Sequence, residues 1–209
     1  MEQRILVCIG RQYGSGGREI GEKLAQALGV PCYDKMILKR AAAESGIAES
    51  IFEDADERAR SWFSSAFWSG NTEADFALVG ALDYLTDDKL FQIQTKTIRE
   101  LAKEKSGVFI GRCAEYILAQ DPNMLSVFIH GDPKDRIARI AKRQNVSERE
   151  AERLMGKADR NRAHYHNFYC DTKWGDCDSY HLSVSSSAFG IAGAVAVIRN
   201  SVAQRLSRG

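Results

Sequence analysis

The sequence predicts a three-layer α/β/α fold on a five-stranded parallel sheet, and three observations lead there. Short apolar runs recur without polar alternation, stretches of helical periodicity separate them, and a glycine-rich segment joins the first run to the first helix. Strands apolar at successive positions belong in sheets covered on both faces, the setting of parallel β-α-β units.

The first strand is read at Arg4–Gly10 (RILVCIG). Ile20, Leu24, Ala27 and Leu28 then recur at helical spacing until Gly29 and Pro31 stop the helix. A second strand is predicted at Val30–Asp34 (VPCYD). The long interval that follows reads as helices with a polar turn around Ser69–Thr72, and Ile93, Thr97 and Leu101 mark an amphipathic helix ending at Gly107. Gly107–Gly111 (GVFIG) and Met124–His130 (MLSVFIH) are the third and fourth strands. Asp132 and Pro133 signal a helix start, with Ile137, Ile140 and Ala141 as its apolar stripe. Ser147 and Glu150 form a capping-box pattern that opens a helix over Ser147–Asp159, and Tyr180–Ser183 (YHLS) supplies the fifth strand. Two segments interrupt the alternation, at residues of about 37–100 and about 144–174. Only 3 prolines and no Ser/Gly-rich linker occur, so residues 1–209 read as one domain carrying two mobile insertions.

A formal net charge of +1 excludes a general binder of nucleic-acid polymers. No apolar run approaches the roughly 20 residues that span a bilayer. Met1–Gly10 runs into a strand without the layout of a signal peptide, and a cytoplasmic protein is expected. Cys8, Cys32 and Cys113 sit in or beside strands, where a thiol behaves as a small hydrophobe. Cys170 and Cys177 lie near His164, His166 and His181 but lack a Cys-x-x-Cys pair, so they read as thiols and no metal site is assigned.

The sharpest signal is Gly10-Arg-Gln-Tyr-Gly14-Ser15-Gly16-Gly17-Arg18-Glu19, between the first strand and the first helix. Glycines there allow backbone N–H groups to converge on an anion, and the helix presents its positive dipole end to the same point. The spacing departs from G-x-x-x-x-G-K-[ST]. Gly17 stands at the lysine position, Arg18 and Glu19 follow, and Gly10 lies one place too far upstream. A dinucleotide loop is the competing reading, with Asp34 as the ribose acid, although no G-x-G-x-x-G is present.

The blocks RQYGSGGREIGEKLA, YDK, GVFIGR, VFIHGDPKDRIARI and KADRNRAHYHNFYCDTKWGDCDSYHLSVSS resemble the cytidylate-kinase-like family of P-loop kinases over almost the whole chain. That resemblance implies a P-loop type of fold with helical acceptor-binding and lid insertions, ATP and Mg²⁺ as cofactors, and phosphate transfer to a nucleoside monophosphate. Matched by position, Gly14, Ser15, Gly16, Gly17, Arg18 and Glu19 would hold phosphates, while Asp34, Arg40 and Arg112 would meet the acceptor. Arg112, Arg160 and Arg162 would act in catalysis, the last two from the lid. Ile110 occupies the family's aspartate position before Gly111-Arg112, and Met155 falls near a second lid arginine.

Guanidinium groups suit phosphoryl transfer because charge spreads over the equatorial oxygens of the moving group. Arg149 and Arg153 have Glu148, Glu150 and Glu152 beside them and read as solvated ion pairs. Arg136, Arg139 and Arg143 share a helix face and divide between structure and phosphate contact. Asp34 either orients an acceptor and its metal or caps a helix; Glu19 either approaches the metal or stabilises its helix. Trp62, Phe63, Phe67 and Trp68 are expected to cover the core or a homodimer contact. The expected activity is an ATP-dependent transfer to a small acceptor, with two alternatives: a nucleotide-binding regulator without turnover, and a kinase of another small metabolite.

Overall fold

The computed structural model describes residues 4–34 and 87–207. Arg40, the aromatic cluster from Trp62 to Trp68 and most of the expected acceptor insertion fall outside the described residues. Strands β1 (Leu6–Arg11), β2 (Cys32–Tyr33), β3 (Gly107–Ile110), β4 (Met124–His130) and β5 (Leu182–Ser185) form one sheet in the order β2-β3-β1-β4-β5. All four pairings are parallel, with Leu6 in register with Gly107 on one side and Met124 on the other. Helices are α1 (Gly17–Leu28), α2 (Asp87–Glu104), α3 (Ala114–Ile117), α4 (Pro133–Gln144), α5 (Glu148–Tyr169) and α6 (Ser186–Leu206). The chain divides into two compact units, Met1–Asp34 with Leu101–Gly209 and Lys35–Glu100. The sheet belongs to the first unit, and the described part of the second is the helical stretch 87–100.

The core explains why the strand runs are apolar on both faces. Val7, Ile9, Val108, Ile110, Val127 and Ile129 point to the side where α1 and α6 pack, through Ile20, Leu24, Ala194, Ile198 and Val202. On the other face Leu6, Cys8, Phe109, Met124, Ser126 and Phe128 are also buried. A parallel sheet needs cover of this kind because its crossovers place helices on its faces.

Helix ends follow the sequence signals. Gly29 closes α1 in the left-handed conformation at φ 65°, and Ser147 caps α5 by accepting from Glu150 N–H at 3.3 Å. Three features differ from the sequence reading. Helix α5 continues ten residues past the predicted Asp159, to Tyr169, because nothing after Asp159 breaks it. The fifth strand begins at Leu182: Tyr180 instead packs its ring on Phe128 at 4.9 Å, and His181 Nδ1 accepts from Ser126 N–H at 3.0 Å. Helix α6 has no predicted counterpart, since serine, alanine and glycine dilute its apolar run and Gly190 interrupts it at φ 64°. By length and composition alone α6 is long and apolar enough to cross a membrane; Ala194, Ile198 and Val202 are the residues it commits to the core.

Truncating Ile198, which is fully buried, to alanine is expected to cost about 2–5 kcal/mol, read from the denaturant midpoint. Ala192→Ser on the exposed face of the same helix is expected to change stability by less than about 0.5 kcal/mol.

Candidate functional site

The segment from Arg11 to Gly17 turns sharply because Gly14 and Gly16 adopt φ 79° and 77°. L-residues resist that region, and a Cβ on Gly14 would lie 2.8 Å from the carbonyl oxygen of Arg136. A Cβ on Gly16 would strike Ile191 and the guanidinium of Arg139. The loop is otherwise pinned. Gln12 N–H donates to Ile129 O at 2.9 Å, its Oε1 accepts from Gly131 N–H at 3.2 Å, and buried Ser15 donates its hydroxyl to Gln12 O at 2.8 Å.

The strongest tie comes from a distant helix. Asp159, in the middle of α5, accepts from Tyr13 N–H through Oδ1 at 2.7 Å, and its Oδ2 pairs with Arg136 Nη2. Arg136 Nε donates to Tyr13 O at 2.8 Å, so one ion pair holds both polar groups of the same peptide residue. Arg136 is 5% exposed. The Tyr13 ring lies between two cations, with Arg143 at 5.2 Å and Arg162 at 5.4 Å from its centroid. Its hydroxyl accepts from Gln144 Nε2.

The loop therefore leaves a particular set of donors. Gly17 N–H reaches Ser15 Oγ at 3.4 Å, whereas the N–H groups of Gly14, Gly16, Arg18 and Glu19 have no hydrogen-bond partner among the described residues. These are the orphan donors of a helix start, at the positive end of α1. Gly14 also lines a cavity of about 400 Å³ with Asp135, Arg139, Lys142, Ser186 and Ser187, among others. Its wall carries the cations Arg139 and Lys142 and the Asp135 carboxylate.

The predicted residues are placed as follows. Arg18 turns its Nε to Glu22 at 3.0 Å and to Asp34 at 3.2 Å, so it joins the end of β2 to α1. Glu19 pairs with Lys23 at 3.0 Å and lies 3.9 Å from Arg139. Arg112 sits in a turn where Gly111, Arg112 and Cys113 all have positive φ, at 73°, 62° and 55°. Burial, and after it the nearby Arg11, pulls the Arg112 guanidinium below its usual range, against Tyr165 and Asp34. Arg162 Nη1 donates to Arg11 O at 3.0 Å, beside the loop. Arg160 is exposed and lies back along α5 over Gly156. Two residues on a helix are about 200° apart, so Arg160 and Arg162 cannot face one target.

Several residues here carried no role in the sequence reading. Arg11 and Tyr13 belong to the glycine-rich block and received none, and Asp159 was read only as part of the lid. Arg139 stood undecided among three arginines, but its place one turn beyond Arg136, on the helix that follows β4, is the signal that singles it out. Lys142, Ser186 and Ser187 had no local signal.

The sequence profile of the cytidylate kinase-like family matches residues 6–188. A solved structure of an uncharacterized protein from Eubacterium ventriosum is 30% identical, covering 95% of this chain and 98% of that one, with a TM-score of 0.71. Shikimate kinase from Bacteroides thetaiotaomicron shares the fold at 12% identity, covering 96% and 99% of the two chains, with a TM-score of 0.55. A gluconokinase from Sinorhizobium meliloti does so at 14% identity, covering 99% and 98%, with a TM-score of 0.51. Comparison with curated proteins gives no match.

Removing the buried anchor tests how the loop is held. Asp159→Ala leaves Arg136 without its partner and is expected to cost about 3–5 kcal/mol in chemical denaturation. Arg153→Ala, which breaks only the exposed pair with Glu150 farther along α5, is expected to cost under about 1 kcal/mol.

Proposed function

The chain belongs to the cytidylate kinase-like family, and from that membership we propose an ATP-dependent phosphotransferase acting on a small anionic acceptor, with a nucleoside monophosphate as first candidate. One observation carries the reading. Main-chain donors at Gly14, Gly16, Arg18 and Glu19 lack partners among the described residues, and Gly14 lines a hollow that also receives Arg139 and Lys142. A polyphosphate matches that donor set, because each amide supplies a hydrogen bond and the cations offset its charge.

In this reading ATP phosphates lie on Gly14–Glu19 and the nucleoside occupies the cavity toward Ser186 and Ser187. ATP with Mg²⁺ supplies the phosphoryl group; the chain positions it and neutralises developing charge. Arg139, whose guanidinium stands beside Gly16, takes the place of a loop lysine. Ser15 donates its hydroxyl to Gln12 O and keeps its oxygen lone pairs, and Glu19 is the carboxylate that the first turn of α1 would offer the metal. Arg112 and Arg11 form the acceptor side. Two neighbouring guanidinium groups suit an acceptor bearing phosphate or carboxylate. Arg162 bonds the backbone at Arg11 and belongs to a proposed lid that closes over the transferred group, while Arg160, on the opposite side of α5, takes no part in that contact. Asp34 and Arg40 complete the proposed acceptor set, Asp34 by fixing Arg18.

A second reading, nucleotide binding without turnover, is favoured by Gly17 at the lysine position and by the commitment of Arg18 to Glu22 and Asp34. ADP release separates the two. Protein mixed with ATP·Mg²⁺ and a panel of nucleoside monophosphates, shikimate and gluconate is expected to form ADP with one acceptor. Binding of ATP with no ADP from any acceptor would establish the second reading instead. Arg139→Gln is expected to weaken ATP binding about 10- to 100-fold by calorimetry, the worth of one charged hydrogen bond, with melting unchanged. Unaltered affinity would remove the phosphates from this loop.

A further inference from the structure

Gly17 has no backbone reason to be glycine. Gly14 and Gly16 hold positive φ, whereas Gly17 is the first residue of α1 and lies in helical backbone. The reason is a neighbour. A Cβ on Gly17 would lie 2.6 Å from Cβ and 3.0 Å from Cγ of Arg11, with Ile129 Cβ at 3.3 Å. Two Cβ atoms do not approach that closely, so in this backbone only one of positions 11 and 17 carries a side chain. The phosphate-loop spacing G-x-x-x-x-G-K gives that constraint a meaning. With Gly16 as the second glycine, Arg11 stands at the first glycine and Gly17 at the lysine. Cation and glycine have changed places.

Strand alternation then aims the cation. Val7 and Ile9 face α1 and α6, and Arg11 is the next residue of that face, at the carboxyl end of β1. Its stem passes the first residue of α1, and its guanidinium ends at the neighbouring strand. A Cβ on Gly111 would collide with Arg11 Nη1 and lie 2.9 Å from Cζ. Strands β1 and β3 are paired here, with Ile9 opposite Ile110 and Gly111 N–H donating to Ile9 O at 3.0 Å. The carboxyl edge of a parallel sheet is where α/β proteins hold their ligands. Arg162 fixes the backbone below the side chain, since its Nη1 donates to Arg11 O at 3.0 Å. Arg18 leaves the place open, its Nε being drawn to Glu22 and Asp34.

We infer that Arg11 is a catalytic residue, the cation that meets the moving phosphoryl group, seated between the donor loop at Gly17 and the Arg112 turn. The inference rests on the kinase reading and deepens it. A loop lysine reaches both the β- and γ-phosphates. Here the task divides: Arg139, beside Gly16, serves the donor phosphates, and Arg11, one loop residue on, serves the group in transit. An acceptor oxygen bonds the terminal phosphorus as the bond to the bridging oxygen of ADP breaks, and the electron pair leaves on ADP. With a phosphate acceptor the attacking oxygen is already ionised, so no proton moves and Arg11 neither gives nor takes one. Its planar charge offsets the negative charge spread over the moving group, without reorganising to do so.

The test puts the exchange back. The full chain and its variants are mixed with ATP·Mg²⁺ and the panel of nucleoside monophosphates, shikimate and gluconate, and ADP is followed. ATP affinity by calorimetry and melting are read alongside. Arg11→Gln is expected to lower kcat about 10²–10³-fold, the worth of one donor aimed at developing charge, while ATP affinity changes by less than about fivefold. Gly17→Lys alone is expected to lower the melting temperature, because its Cβ meets that of Arg11. Arg11→Gly combined with Gly17→Lys is expected to melt near the unaltered chain and to turn over at least about tenfold faster than Arg11→Gly alone. A residue that merely packed the loop would not be rescued by a charge at another position. Equal kcat in Arg11→Gln and the unaltered chain would overturn the inference and leave the kinase reading standing. So would a folded double variant no faster than Arg11→Gly. Silence of the unaltered chain with every acceptor would withdraw the kinase reading, and the catalytic role with it.

Discussion

Everything at the site depends on one half-buried carboxylate. Asp159 holds Tyr13 N–H directly and Tyr13 O through Arg136, so α4, α5 and the glycine-rich loop share a single charge pair. Desolvating two ions costs several kcal/mol, and attraction alone rarely offsets it. Here each ion also bonds the backbone of a loop whose glycines would otherwise sample many conformations. The return is specificity of shape: donors at Gly14 and Gly16 face outward because Tyr13 is fixed behind them. The same pair makes α5 more than a cover, since any rotation of that helix moves its hold on the loop.

That arrangement bears on the missing lysine. A lysine after Gly16 would bring a flexible ammonium to the phosphates; in the proposed function the charge comes instead from the side, on guanidinium groups of neighbouring elements. Arg139 comes from α4, Arg162 from α5 and Arg112 from the turn after β3. Planar, permanently charged groups suit this division because each reaches more than one oxygen. The division also makes charge delivery conditional. A cation on the loop is always present, whereas cations on α5 and on the Arg112 turn arrive only when those elements are seated.

Much of the fold was legible in the chain. Apolar runs marked β1, β3 and β4, because burial on both faces leaves no other composition, while the partly exposed β5 (LSVS) carried a weaker signal. Ser147 with Glu150, and Gly29, announced their helix ends through local hydrogen bonding that short-range pattern captures. Helix α6 escaped because its core contacts come from only a few residues, spaced four apart among small ones. At the site, the loop and Arg162 were legible, while the role of Asp159 was not. Its partner Tyr13 lies 146 positions away, and no local pattern encodes a contact at that separation. Arg18 shows what a motif leaves out, since its side chain pairs with Glu22 and Asp34, partners that the loop pattern does not encode.

The turn Gly111-Arg112-Cys113 connects these themes. Two non-glycine residues in succession hold positive φ there, an arrangement that costs energy and persists only where surrounding contacts impose it. Its two side chains leave toward different surroundings. Arg112 shares a neighbourhood with Arg11, Asp34 and Tyr165, and Cys113 is buried behind it at the start of α3. A turn without slack transmits displacement, because neither residue can move without the other. The bend that presents a cation to the proposed acceptor is thus tied to the start of α3, while α5 reaches the neighbouring Arg11 through Arg162.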